Sequence, residues 1–78
     1  MNRQYGDSHY TTRMIEDRAE GFVGYELMRQ RQGSDDCIAR ILFWDSSGQF
    51  SLETLGGDVP LDILEELVGE AKSSIKFA

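Results

Sequence analysis

Cys37-Ile38-Ala39-Arg40-Ile41-Leu42-Phe43-Trp44-Asp45, then Ser46-Ser47-Gly48, then Gln49-Phe50-Ser51-Leu52-Glu53-Thr54-Leu55, reads as a β-hairpin. β-Branched and aromatic residues fill the first arm, and the second alternates apolar with polar at the period of a half-buried strand. Between them Asp45 is suited to cap a turn, and Gly48 to take the left-handed conformation that ends a polar three-residue loop.

The first arm is apolar on both faces, so something must cover each. Pairing Asp45 with Gln49 sets Trp44 opposite Phe50 and Leu42 opposite Leu52, while Phe43 and Ile41 face Ser51 and Glu53. On that register the even-numbered face is the continuous apolar one and meets the main core. The odd-numbered face, with Ile41 and Phe43 and with Tyr25 beside them, is the weaker surface and a candidate for binding a partner.

Working outward, Phe22–Arg31 reads as a strand with Val23, Tyr25 and Leu27 on one face and Phe22 and Met28 on the other. Gly24 inside it marks a bulge or a close backbone approach. The polar run Gln32-Gly33-Ser34-Asp35-Asp36 returns the chain, which makes Cys37–Asp45 the middle strand of a three-stranded antiparallel meander. Residues 1–10 have no apolar period and read as a flexible tail that contains the single histidine, His9. Thr11–Glu20 is read as a short N-terminal helix capped by Thr12 and stopped by Gly21, in preference to an edge strand that would be a fourth in the sheet.

After Gly56-Gly57-Asp58, Val59-Pro60 opens a C-terminal helix expected from Pro60 to about Ile75. Leu61, Leu64, Leu67, Val68, Ala71 and Ile75 form its apolar stripe, and early acids with late Lys72 and Lys76 complement the macrodipole. Asp62, Glu66 and Glu70 recur every four residues, a column of like charge whose pairs each cost about 0.2–0.5 kcal/mol. Solvated faces carry such runs too, yet beside Gly69 this column is a candidate docking surface for a basic partner.

The expected class is therefore α+β: a three-stranded meander, with a fourth strand if Thr11–Glu20 is extended, and a C-terminal amphipathic helix on one face. With 78 residues, residues 11–78 make one small domain, in a size range that buries only about 60% of its unfolded surface. The net charge of −6 disfavours nucleic acid and anionic membranes as partners, and no apolar run suggests a membrane span. The lone Cys37 forms no intrachain disulfide, and a cytoplasmic setting is the default expectation.

No Gly-rich phosphate loop, zinc spacing, nucleophile elbow or calcium loop is present, so neither a cofactor nor catalysis is expected. The first expectation for function is a non-catalytic protein-interaction module that forms a homodimer through a sheet face or edge. One face is expected to lack cover, because a single helix spans only one side of a sheet. The alternatives are a nucleic-acid binder using the arginine-bearing N-terminal half, and a small enzyme built on Cys37 with His9 as its base.

Overall fold

The computed structural model describes residues 1–75. Five strands, β1 (Asn2–Tyr5), β2 (Ser8–Asp17), β3 (Phe22–Arg31), β4 (Ser34–Trp44) and β5 (Gln49–Thr54), form one antiparallel sheet in chain order. One helix, α1 (Leu61–Ser74), follows, with Pro60 and Ile75 as its flanking caps. The α+β class with an antiparallel sheet and a C-terminal helix on one face is thus what the structure has. Lys76, read as part of the helix's charge balance, lies outside the described residues.

Three details depart from the sequence reading. The sheet has five strands, because the stretch read as tail and short helix pairs instead: Asn2–Tyr5 lies against β2, and His9–Asp17 lies against β3. Good helix formers in Thr11–Glu20 lose to a strand neighbour that satisfies every second backbone group, the usual way tertiary pairing overrides propensity. Gly21, read as a helix stop, ends the Arg18–Gly21 turn, where its N–H donates to the Asp17 carbonyl at 2.8 Å.

A second departure is in the hairpin that decides the fold. Its loop has four residues, Asp45–Gly48, so Trp44 and not Asp45 pairs with Gln49. Gly48 takes a φ of +66° and donates its N–H to the Trp44 carbonyl at 2.8 Å. The one-residue difference exchanges every cross-strand partner: Phe43 faces Phe50 and Ile41 faces Leu52. The odd-numbered face is therefore the core face. Ile41 and Phe43, expected on a partner-facing surface, are buried beneath α1, with the Phe43 and Phe50 rings 5.1 Å apart. Tyr25 is half-buried against the same cluster.

The third departure is the helix stripe. Ile63, Leu67 and Ala71 are its fully buried residues, and they pack with Ile75 on Tyr10, Leu27, Ala39 and Ile41. Leu61, read as the first residue of the stripe, is 67% exposed.

Between β3 and β4 the register shifts. Leu27 pairs with Ala39 and Met28 with Cys37, which leaves Ile38 as an extra residue. Ile38 and Ala39 then both enter the core, while Cys37 and Arg40 both stand on the opposite face.

Candidate functional site: the uncovered side of the sheet

With α1 against β3 and β4 on one side, the other side of the sheet has no covering element among the described residues. The register lays out this open face row by row. Its middle row is Arg13, Glu26, Arg40 and Glu53, directly opposite one another on β2, β3, β4 and β5. Alternate charges facing across adjacent strands attract, and the side chains have closed on one another. Arg13 donates to the Glu26 carboxylate through Nε at 3.0 Å and also through Nη2, and Arg40 donates to Glu53 at 3.0 and 2.6 Å.

On one side of that charged row stand Ile15, Gly24, Leu42 and Ser51, followed by Asp17, Phe22, Trp44 and Gln49. Phe22 and Trp44 meet edge to face with ring centroids 5.2 Å apart, and Trp44 Nε1 donates to Ser51 Oγ at 2.8 Å. Leu42 is only 4% exposed although no helix lies over it. On the other side stand Thr11, Met28 and Cys37. The open face is thus an apolar patch and a neutralised ion ladder, with both rings half-buried.

The hydrogen bond from Arg13 holds the Glu26 carboxyl below the usual carboxylate range, and the same bond raises the Arg13 guanidinium. Glu53 acts in the same way on Arg40. Burial, then the Glu26 charge, pushes the Cys37 thiol up; Cys37 Sγ donates to Glu26 Oε2 at 3.7 Å and to the Ala39 carbonyl at 3.6 Å. A thiol beside a carboxylate is a poor nucleophile at neutral pH. His9 is on β2, across β3 from Cys37, with its Nδ1 3.2 Å from Gln4 Oε1.

The acidic column of α1 is engaged inside the molecule. Glu66 is ion-paired with Arg3 of β1. Glu70 accepts from the partly buried Met1 ammonium at 2.9 and 3.0 Å and from Thr12 Oγ1 at 2.8 Å, and Thr12 Oγ1 itself accepts from Met1 at 2.7 Å. Asp62 is exposed in the first helical turn. The six residues read as partner-binding therefore do not form one surface: Tyr25, Ile41 and Phe43 belong to the core side, Glu66 and Glu70 tie α1 to β1 and β2, and Asp62 stands apart. The open-face residues Trp44, Leu42 and Phe22 were all read as strand residues. The signal that would have assigned their face was the length of the Asp45–Gly48 loop.

A shallow cleft of about 450 Å³ opens at the other end of the molecule, lined by Tyr5, Ser8, Tyr10, Arg29, Arg31 and Val59 among others. Asp7 and Asp58 share its rim, so its charges balance.

Beside the open face, the sheet has one long free edge. Leu55 N–H donates to the Ile38 carbonyl at 3.0 Å, which turns the backbone of Glu53 and Ser51 toward β4. Antiparallel alternation then turns the N–H and C=O groups of Phe50, Leu52 and Thr54 outward.

No protein-family model matches the chain, no curated protein does, and no solved structure does.

Proposed function

We propose that the protein is a small non-catalytic interaction module, that it self-associates, and that its working surface is the side of the sheet left free by α1: the open face and the β5 edge. The observation that carries this reading is the five-stranded sheet with a helix on one face only, leaving Phe22, Met28 and Trp44 half-buried on the other face with no element over them among the described residues. A free edge strand and an apolar sheet face are the two features through which β proteins associate.

The rival readings draw less support. Arg13 and Arg40, the arginines of the open face, are each bound to a glutamate, and phosphate binding calls for unpaired cations. Cys37 is partly buried and faces the Glu26 carboxylate, whose negative charge disfavours the thiolate, and it has no histidine beside it.

Light scattering coupled to size-exclusion chromatography, run as a concentration series into the high micromolar range, tests the proposal. A mass that rises from 8.9 kDa toward twice that value is the expected result. A mass of 8.9 kDa throughout would overturn it.

A further inference from the structure

We infer that two copies of this chain join through their β5 strands, antiparallel about a two-fold axis at Leu52, so that the two sheets become one continuous sheet with both helices on the same side. The inference rests on the self-association proposed above and specifies its geometry.

The two edges of the sheet are not equivalent. β1 has only four residues, and beyond its end the short free stretch of β2 carries the exposed Met14 and ends in Glu16 and Asp17, whose charges no cross-strand cation holds among the described residues. Short length and charge are the means by which natural sheets block pairing. β5 has six residues, Gln49-Phe50-Ser51-Leu52-Glu53-Thr54, with no proline, lysine or bulge. Its one charge, Glu53, is held by Arg40, so the strand brings no free charge to the edge of a molecule whose net charge is −6. Leu52 is 44% exposed and the adjoining Leu55 47%.

The strand is complementary to itself. Centred on Leu52, antiparallel pairing sets Leu52 against the partner's Leu52 and Phe50 against the partner's Thr54. The outward N–H and C=O groups of all three residues on each copy then find partners. Residues directly opposite in an antiparallel pair lie on the same face, so Leu52, Phe50 and Thr54 meet on the helix side, and Ser51 and Glu53 meet on the other. A two-fold axis perpendicular to the sheet is the only one that gives antiparallel strands with like faces together, and it closes the assembly at two copies. A single strand pair falls at the small end of specific interfaces, below roughly 1,200 Å², the size class of weak and transient association.

Hydrogen exchange read by NMR at low and high concentration tests the mode directly. The amides of Ser51 and Glu53, directed at β4, are expected to be protected at both concentrations, and those of Phe50, Leu52 and Thr54 only where the mass is doubled. Two variants test it independently. Leu52→Lys places two ammonium groups opposite each other on the axis, and Thr54→Pro removes an outward donor that the monomer does not use. Each is expected to weaken the dimer by about tenfold or more, equivalent to about 1.4 kcal/mol, with the far-ultraviolet circular dichroism of the monomer retained. Asn2→Lys, on the opposite edge, is expected to leave the dimer unchanged. A dimer that survives both β5 variants but is lost in Met28→Glu on the open face, or one whose Phe50, Leu52 and Thr54 amides still exchange fast, would overturn the edge mode and leave self-association standing. A monomer at every concentration would overturn both.

Discussion

Trp44 and Leu27 show how far the role of a residue depends on which face it occupies. Trp44 reads from sequence as a core anchor, yet it is half-buried on the open face, where its ring meets Phe22 and its indole N–H donates to Ser51, whereas Leu27 is fully buried under α1. Leu27→Ala leaves a cavity and is expected to cost about 3–5 kcal/mol. Trp44→Ala gives up a partly solvated ring and an aromatic pair and is expected to cost about 1–2 kcal/mol. Urea titration of both decides the matter; a larger loss for Trp44 would mean that the two faces have been assigned the wrong way round. Glu26 adds a pH dependence at the same scale. Because Arg13 lowers its pKa in the folded state, the stability it contributes is complete above the unfolded glutamate range and is lost as pH falls through the folded value. Thermal unfolding followed downward from about pH 5 is expected to fall less steeply in Glu26→Gln than in the parent protein. Gly24 was legible as a special position. A Cβ there would lie 2.0 Å from the Ile41 carbonyl oxygen, so close approach is its role, and the bulge belongs to Ile38.

At the scale of elements, β3, β4, β5 and α1 were legible because each carries its own period and its own stop, Gln32-Gly33, Gly48, and Gly56-Gly57 before Pro60, although β4 begins at Ser34, inside the polar run read as the return, because Ser34, Asp35 and Asp36 pair with Arg31, Gln30 and Arg29. β1 and β2 were not, because Asn2–Tyr5 and Ser8–Asp17 carry little apolar alternation of their own and owe their strand conformation to the ladder they join. The same gap hid the partners of the acidic column. With β1 unrecognised, Glu66 and Glu70 read as a like-charge column whose replacement by lysine relieves repulsion. With β1 in place, Arg3 and the Met1 ammonium are their counter-ions across 63 and 69 residues of sequence. Glu70→Lys would set a second cation against the partly buried ammonium and leave Thr12 Oγ1 without its acceptor. The expected outcome is a loss of about 1–3 kcal/mol, measured by chemical denaturation. Glu66→Lys breaks an exposed pair with Arg3 and is expected to cost no more than about 1 kcal/mol. Equal and negligible effects in the two variants would show that the ammonium cluster does not hold α1 to the sheet.

For the molecule as a whole, the question is whether sheet and helix are one cooperative unit. β4 couples them, since alternate residues of this one strand serve both sides: Ile41 and Phe43 lie in the core under α1, while Leu42 and Trp44 form the open face. A helix that undocked would expose Ile63, Leu67 and Ala71 together with the side of β3 and β4 beneath them, removing most of the core that a chain of 78 residues possesses. The sheet alone would then hold only the open-face patch and its ion ladder, and exposed ion pairs contribute little each. A partly folded sheet without its helix is therefore expected to have no range of conditions in which it is the stable state. Trp44 reports on the sheet from the side opposite α1, and ellipticity at 222 nm reports chiefly on α1, so the two probes follow different elements. Their urea transitions are expected to share one midpoint and one slope when measured below the concentration at which the protein associates. Loss of ellipticity before any change in tryptophan emission would show instead that α1 is a detachable cover, and that the core face of the sheet can open independently of the strands that form it.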